Sequence, residues 1–141
     1  MNLLMWNPDW ETGFPMIDTQ HQELFRRVDA LMSAIHMDDA KQTVPGLLNF
    51  LADYVVEHFQ AEEAEMVASH YPGLDQHRRI HADMTAKVGA MLKQYETDPT
   101  CITDEVLEFI TEWLVLHING VDRQMAHYLI RWAATHPPAQ A

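Results

Sequence analysis

One cysteine, Cys101, stands in a chain of 141 residues. An internal disulfide is therefore excluded, and a reducing compartment is expected. Basic residues are also scarce: nine Lys and Arg face 21 Asp and Glu, for a net charge of −12 and a pI near 4.9. Nucleic acid and anionic membranes repel such a surface, so neither is expected as a partner. No apolar run approaches the length of a membrane span. Met1 to Trp6 has no basic leader, and its apolar run is too short for a signal peptide, so a cytoplasmic location is expected. Strand alternation, internal repeats and low-complexity segments are all missing. What remains is 48 % hydrophobic, ordinary for a globular protein, and long enough for one domain with a real core.

Histidine is what the chain has in excess: His21, His36, His58, His70, His77, His81, His117, His127 and His136. The segment His58-Phe59-Gln60-Ala61-Glu62 shows why position matters. In a helix, residues four apart share a face and stand about 6 Å apart along the axis. The face of His58 and Glu62 also carries Leu51, Val55 and Met66. An imidazole and a carboxylate thus point with the apolar stripe, where burial without partners is costly.

The remaining stripes repeat the pattern. Asp18 or Thr19 is a suitable N-cap for a first helix with Leu24, Phe25, Val28, Leu31, Met32 and Ile35 on its apolar face. His21 lies one step earlier on that face. Met37 to Gln42 is the expected connection, and Thr43 with Pro45 marks the start of the second helix. Tyr71-Pro72-Gly73 follows that helix. The third helix is predicted from about Leu74 to Tyr95, with His77, His81, Met84, Val88, Met91, Leu92 and Tyr95 as its stripe. Thr103 caps the fourth, whose face carries Val106, Phe109 or Ile110, Trp113, Leu114 and His117.

The expected fold is all-α: an up-down-up-down four-helix bundle with an N-terminal arm and a short C-terminal helical extension. One domain is expected over residues 1–141, divided into an arm (1–17), the bundle (18–133) and a tail (134–141). The arm's aromatics should cover one side or end of the bundle. Cys101 is expected to be a small apolar residue before a helix.

A lone histidine on an apolar face is usually a core residue with a hydrogen-bond partner. Here four stripes carry ligand-type residues inward, which a plain core has no reason to do four times. His21, His58, His77, His81 and His117, with Glu62 and Asp122, therefore form a candidate site for two metal ions. Asp122 follows His117 by five residues, a step that leaves the face in an ideal helix. The metal reading thus requires a local break or wide turn at Asn119-Gly120. His36 and His70 fall near helix ends, where carbonyls are available. Glu63 and Glu65 read as solvated.

Imidazole and carboxylate ligation suits iron, zinc, copper or manganese. If both carboxylates and one solvent oxygen bridge two octahedral ions, about eleven of twelve positions are filled. The open position falls on the ion held by His21 and His58, opposite the set His77, His81 and His117. One vacancy suits a small diatomic ligand. Neutral imidazoles outnumber carboxylates, unlike the Glu-x-x-His bundles that activate oxygen, and this favours reversible binding over oxidation chemistry.

The segments Ile17-Asp18-Thr19-Gln20-His21, His58-Phe59-Gln60-Ala61-Glu62-Glu63, His77-Arg78-Arg79-Ile80-His81 and Trp113-Leu114-Val115-Leu116-His117-Ile118, with Asp122, resemble the hemerythrins, in particular the single-domain bacteriohemerythrins. The resemblance implies two iron ions joined by an oxo or hydroxo bridge, with dioxygen as the reversible ligand. It implies that His21 and His58 hold the oxygen-binding iron, that His77, His81 and His117 hold the other, and that Glu62 and Asp122 bridge. It further implies that Leu114 lines the oxygen pocket beside Trp113. An oxygen carrier, store or sensor without catalytic residues is the expected function. The alternative is a di-iron enzyme or a protein that handles nitric oxide or peroxide. A histidine phosphotransfer bundle would expose its histidine rather than bury it. A zinc module or metal store could use the same ligands, and metal analysis separates it.

Overall fold

The protein is described here by a computed structural model covering residues 6–137. Pro15, rather than Asp18, begins the first helix. Proline suits this position because its fixed φ is already helical and its missing N–H has no partner to lose. Asp18 instead reaches back from the first turn. Its carboxylate accepts from Thr12 N and Thr12 Oγ1, both at 2.7 Å, and from Gly13 N at 3.1 Å. Gly13 has a φ of 90°, which L side chains rarely adopt, so the arm turns into the helix at a glycine.

Among the described residues all regular structure is helical. The long elements are α1 (Pro15–Ala34), α2 (Ala40–Ala68), α3 (Leu74–Thr97), α4 (Asp104–His117) and α5 (Arg123–Thr135). A π-helical segment, Ile118–Asp122, joins α4 to α5, and short 3-10 turns occupy Pro8–Trp10 and Pro99–Cys101. Short connections give the expected up-down-up-down bundle. The expected C-terminal extension is a direct continuation of the fourth rod, because His117, Ile118, Asp122 and Arg123 all keep helical dihedrals. No helix among the described residues is long and apolar enough to cross a membrane.

The start of α2 differs from the expected one. The helix begins at Ala40 and contains Pro45 instead of starting beside it. Pro45 withholds one backbone bond near the open end of the helix, while Val44 and Leu48 on either side of it are buried in the core. Thr103 caps α4 as expected, accepting from Val106 N at 3.2 Å. On α4, Ile110 takes the inner position and Phe109 is exposed. Cys101 is half-buried and packs against the core. His36 does not meet a helix-end carbonyl: its Nε2 lies 2.9 Å from Asp104 Oδ1. His70 follows α2 with a φ of 55° and is exposed. Helix persists to Thr135, into the tail expected over 134–141. Met1–Met5 and 138–141, to which parts of the arm and tail readings apply, lie outside the described residues.

Two apolar clusters form the interior. The larger contains Leu24, Phe25, Leu48, Leu51, Phe59, Met84, Leu107 and Leu114, and Trp6 and Trp10 pack against it from the arm. Trp10 stacks on Phe25 with ring centroids 5.0 Å apart, so the arm's aromatics do cover the bundle. The smaller contains Ile17, Met66, Met125, Ala126 and Leu129. Each rod carries its inward histidines and carboxylates where it passes from one set to the other.

Replacing Asp18 by Ala removes three accepted hydrogen bonds and should cost about 1–2 kcal/mol. The check is a urea denaturation midpoint, which should fall; an unchanged midpoint contradicts the role given to this carboxylate.

Candidate metal centre

Each rod delivers its polar residues by its own periodicity. α1 contributes His21, one turn from Ile17 and one turn from Leu24 and Phe25. α2 contributes His58 and Glu62 at a four-residue step, and α3 contributes His77 and His81 at the same step. The fourth rod must place His117 and Asp122, five residues apart, on one face. The π segment achieves this, since Arg123 N donates to Ile118 O, five residues back, and widens the turn. Asn119 Nδ2 donates to Val115 O at 3.0 Å, and Arg123 Nη2 donates to Asn119 Oδ1 and to Asp9 O of the arm. Gly120 is not what makes the turn: its backbone keeps no left-handed φ, and an added Cβ would meet nothing within 4 Å.

The seven side chains converge. His21, His58, Glu62 and Asp122 form one group, and Glu62, His77, His81, His117 and Asp122 form another. Within each, one donor atom per residue lies within 4.8 Å of all the others. Both carboxylates belong to both groups. All seven residues are buried, and Glu62, Asp122 and His21 have no exposure at all. Glu62 Oε2 is 3.3 Å from His21 Nε2 and 3.1 Å from His58 Nε2, and Glu62 Oε1 is 3.1 Å from His81 Nε2. Asp122 Oδ2 is 3.0 Å from His21 Nε2, and Oδ1 is 2.9 and 3.0 Å from His77 and His117 Nε2.

These distances test whether metal ions fit. Only His77 Nε2 with Asp122 Oδ1 is aligned as a hydrogen bond. His21 Nε2, His81 Nε2, His117 Nε2, both Glu62 oxygens and Asp122 Oδ2 are buried and lack one. Buried polar atoms without partners are rare because each costs free energy. Cis donors on an octahedral ion with bonds of about 2.1 Å stand about 3 Å apart, which matches these contacts. Shared cations would satisfy the orphaned atoms together.

The profile of the Hemerythrin HHE cation binding domain matches residues 12–129. The chain belongs to the hemerythrin family. It is 28 % identical to the bacteriohemerythrin of Stenotrophomonas maltophilia, over 96 % of this chain and 90 % of that one. It is also 28 % identical to the myohemerythrin of Riftia pachyptila, over 84 % of this chain and 87 % of that one. A solved wild-type hemerythrin superposes with a TM-score of 0.84 at 26 % identity, covering 90 % of this chain and 98 % of that chain.

Within this hemerythrin fold, the rings are held from outside the cluster. Phe59 stacks on His81 with centroids 3.9 Å apart and planes at 5°, and Trp113 stacks on His117 at 4.4 Å and 14°. Leu114 is buried in the larger cluster, one turn before Ile118. Two polar partners were missed by the sequence reading. His58 Nδ1 donates to Gln20 Oε1 at 2.8 Å, and His81 Nδ1 donates to Glu63 Oε2 at 3.0 Å. Glu63 is therefore not simply solvated. Each bond fixes the tautomer that turns the Nε2 lone pair inward. The available signal was adjacency: Gln20 precedes His21, and Glu63 follows Glu62. Neighbours one step along a helix flank the inner face and can reach a ring on the adjacent rod.

Charge in the cluster follows from the same geometry. Burial disfavours protonated His21, but its contacts with Asp122 and Glu62 outweigh this and push its pKa up to about 9. His77 is likewise pushed up to about 9, with burial opposing and Asp122 and Glu62 prevailing. Burial opposes ionisation of Glu62, but His58, His21 and His77 hold it well below the carboxylate range. Asp122 is also held low: burial and Glu62 oppose ionisation, while His117 and His21 dominate.

His21 and His77 have folded pKa values above the unfolded 6.5, so their contribution to stability is complete below 6.5 and lost as pH rises through about 9. The carboxylates have lowered values, so theirs is present above the ordinary range and lost in acid. Metal-stripped protein should therefore denature more easily at about pH 9 than at about pH 6. Equal or greater resistance at the higher pH contradicts this charge assignment.

Proposed function

We propose that the chain binds dioxygen reversibly at a pair of iron ions held by His21, His58, Glu62, His77, His81, His117 and Asp122. The observation that carries this reading is the pair of overlapping donor groups that share both carboxylates. A structural core would have no use for seven converging buried donors. Iron suits imidazole and carboxylate donors without thiolate. Such a pair, when bound, would supply reversible two-electron exchange with dioxygen.

The protein's own residues set the conditions for this. Glu62 and Asp122 belong to both donor groups, and their negative charge would hold two cations close together. One group has five donors and the other four, so the His21 and His58 side would leave the spare position on a bound pair. Gln20 and Glu63 keep His58 and His81 in the tautomers that offer Nε2. Phe59 and Trp113 cover the rings of His81 and His117, and we assign Leu114, with Trp113 beside it in the chain, to the wall that would keep water from bound dioxygen. A dry site slows loss of the bound ligand by proton-coupled oxidation. The free thiol of Cys101 is consistent with a cytoplasmic setting. We read the chain as a carrier, store or sensor, because the ligand set is rich in neutral imidazole and offers room for a small diatomic ligand rather than a coordinated substrate.

Iron analysis and visible spectroscopy test the proposal together. About two irons per chain should be found, with a charge-transfer band that appears in air and disappears when oxygen is removed. Iron well below this ratio, or a band that never reverses, contradicts it. In His117→Ala, iron occupancy should fall. In Leu114→Ala, iron should remain while air oxidation of the reduced protein becomes faster; unchanged kinetics would remove Leu114 from the wall.

A further inference from the structure

The two halves of the centre differ in what stands behind their histidines. On the three-histidine side, His81 Nδ1 donates to a carboxylate: Glu63 Oε2, at 3.0 Å. The other oxygen of Glu63 lies 3.3 Å from Arg78 Nε. Arg78 is half in solvent, and Glu63 is a quarter exposed, so this pair closes the cluster at the surface. The face of His81 is covered by Phe59, and that of His117 by Trp113. On the two-histidine side, His58 Nδ1 donates to a neutral amide, Gln20 Oε1. His21 Nδ1 is buried with no hydrogen-bond partner.

A carboxylate behind an imidazole raises its strength as a donor, and its charge favours a nearby cation; an amide does neither to the same degree. We infer that Glu63 is a positioning residue that makes the His77, His81 and His117 side the tighter of the two, so that the pair of sites fills in order and empties in the reverse order. The inference rests on the two-metal reading above. It adds that the halves are made unequal from outside the donor groups, by one anionic residue that the metal would not touch.

The fifth donor alone would also favour this side, so the test must isolate Glu63. Glu63→Gln keeps an oxygen that can accept from His81 Nδ1 but removes the charge. Metal-stripped protein is titrated with Co²⁺, with heat and visible absorption recorded at each addition. Wild type should bind two equivalents in two resolved steps. In Glu63→Gln, the tighter step should weaken by about 10-fold to 100-fold while the looser step stays in place. Gln20→Glu places a carboxylate behind His58 and should tighten the looser step, drawing the two together. Unchanged circular dichroism in both variants separates these effects from misfolding. A single unresolved step in wild type overturns the inference, as does equal weakening of both steps, or no change, in Glu63→Gln; in each case the two-metal reading stands. Fewer than two equivalents bound by wild type overturns that reading and the inference with it.

Discussion

Seven buried side chains able to carry charge meet between two apolar clusters, and most of their facing atoms have no hydrogen bond. Everything else in the bundle is arranged around relieving that cost. Burying charges is expensive, and their mutual attraction repays it only when the geometry leaves few lone pairs unsatisfied. Here the orphaned atoms stand about 3 Å apart, the spacing of neighbouring donors on a shared ion. The polar layer is thus a poor way to stabilise an empty bundle and a good way to hold two cations. The apolar clusters on either side supply the stability that this layer withholds.

The backbone departs from regular helix where the site needs it. A straight α-helix carries His117 and Asp122 off a common face, and the π segment restores them to it. Such single-turn widenings cost backbone bonding and are frequent at functional sites. The cost is partly met by Asn119 and Arg123, and Arg123 also ties the turn to the arm through Asp9 O. The arm is therefore more than a cover: its tryptophans pack on the larger cluster and its backbone braces the segment that carries Asp122.

Much of this could be read from residue order. The inward histidines betrayed themselves by sharing stripes with Leu51, Val55, Met84 and Leu114, and the five-residue step to Asp122 required a wide turn that is present. The fold followed from the same periodicity. Helix starts were less legible. Asp18 has the chemistry of an N-cap but serves Thr12 and Gly13, and Pro45 can sit inside the first turns of a helix as well as at its start. Gly120 drew attention as the breaker, yet the π-turn places no steric demand on it. The outer partners Gln20 and Glu63 escaped because a polar residue flanking the inner face looks solvated until the adjacent rod is in place. The family match over residues 12–129 and the asymmetry behind His58 and His81 then fit one picture, a paired centre with unequal halves.

The most direct test of the paired centre is X-ray absorption at the iron edge on iron-loaded protein. The account predicts imidazole scattering together with an iron–iron vector of about 3.5 Å, as in other two-metal sites. A spectrum with imidazole scattering and no iron–iron vector, even at full loading, would mean that Glu62 and Asp122 do not hold two irons together, and would contradict it.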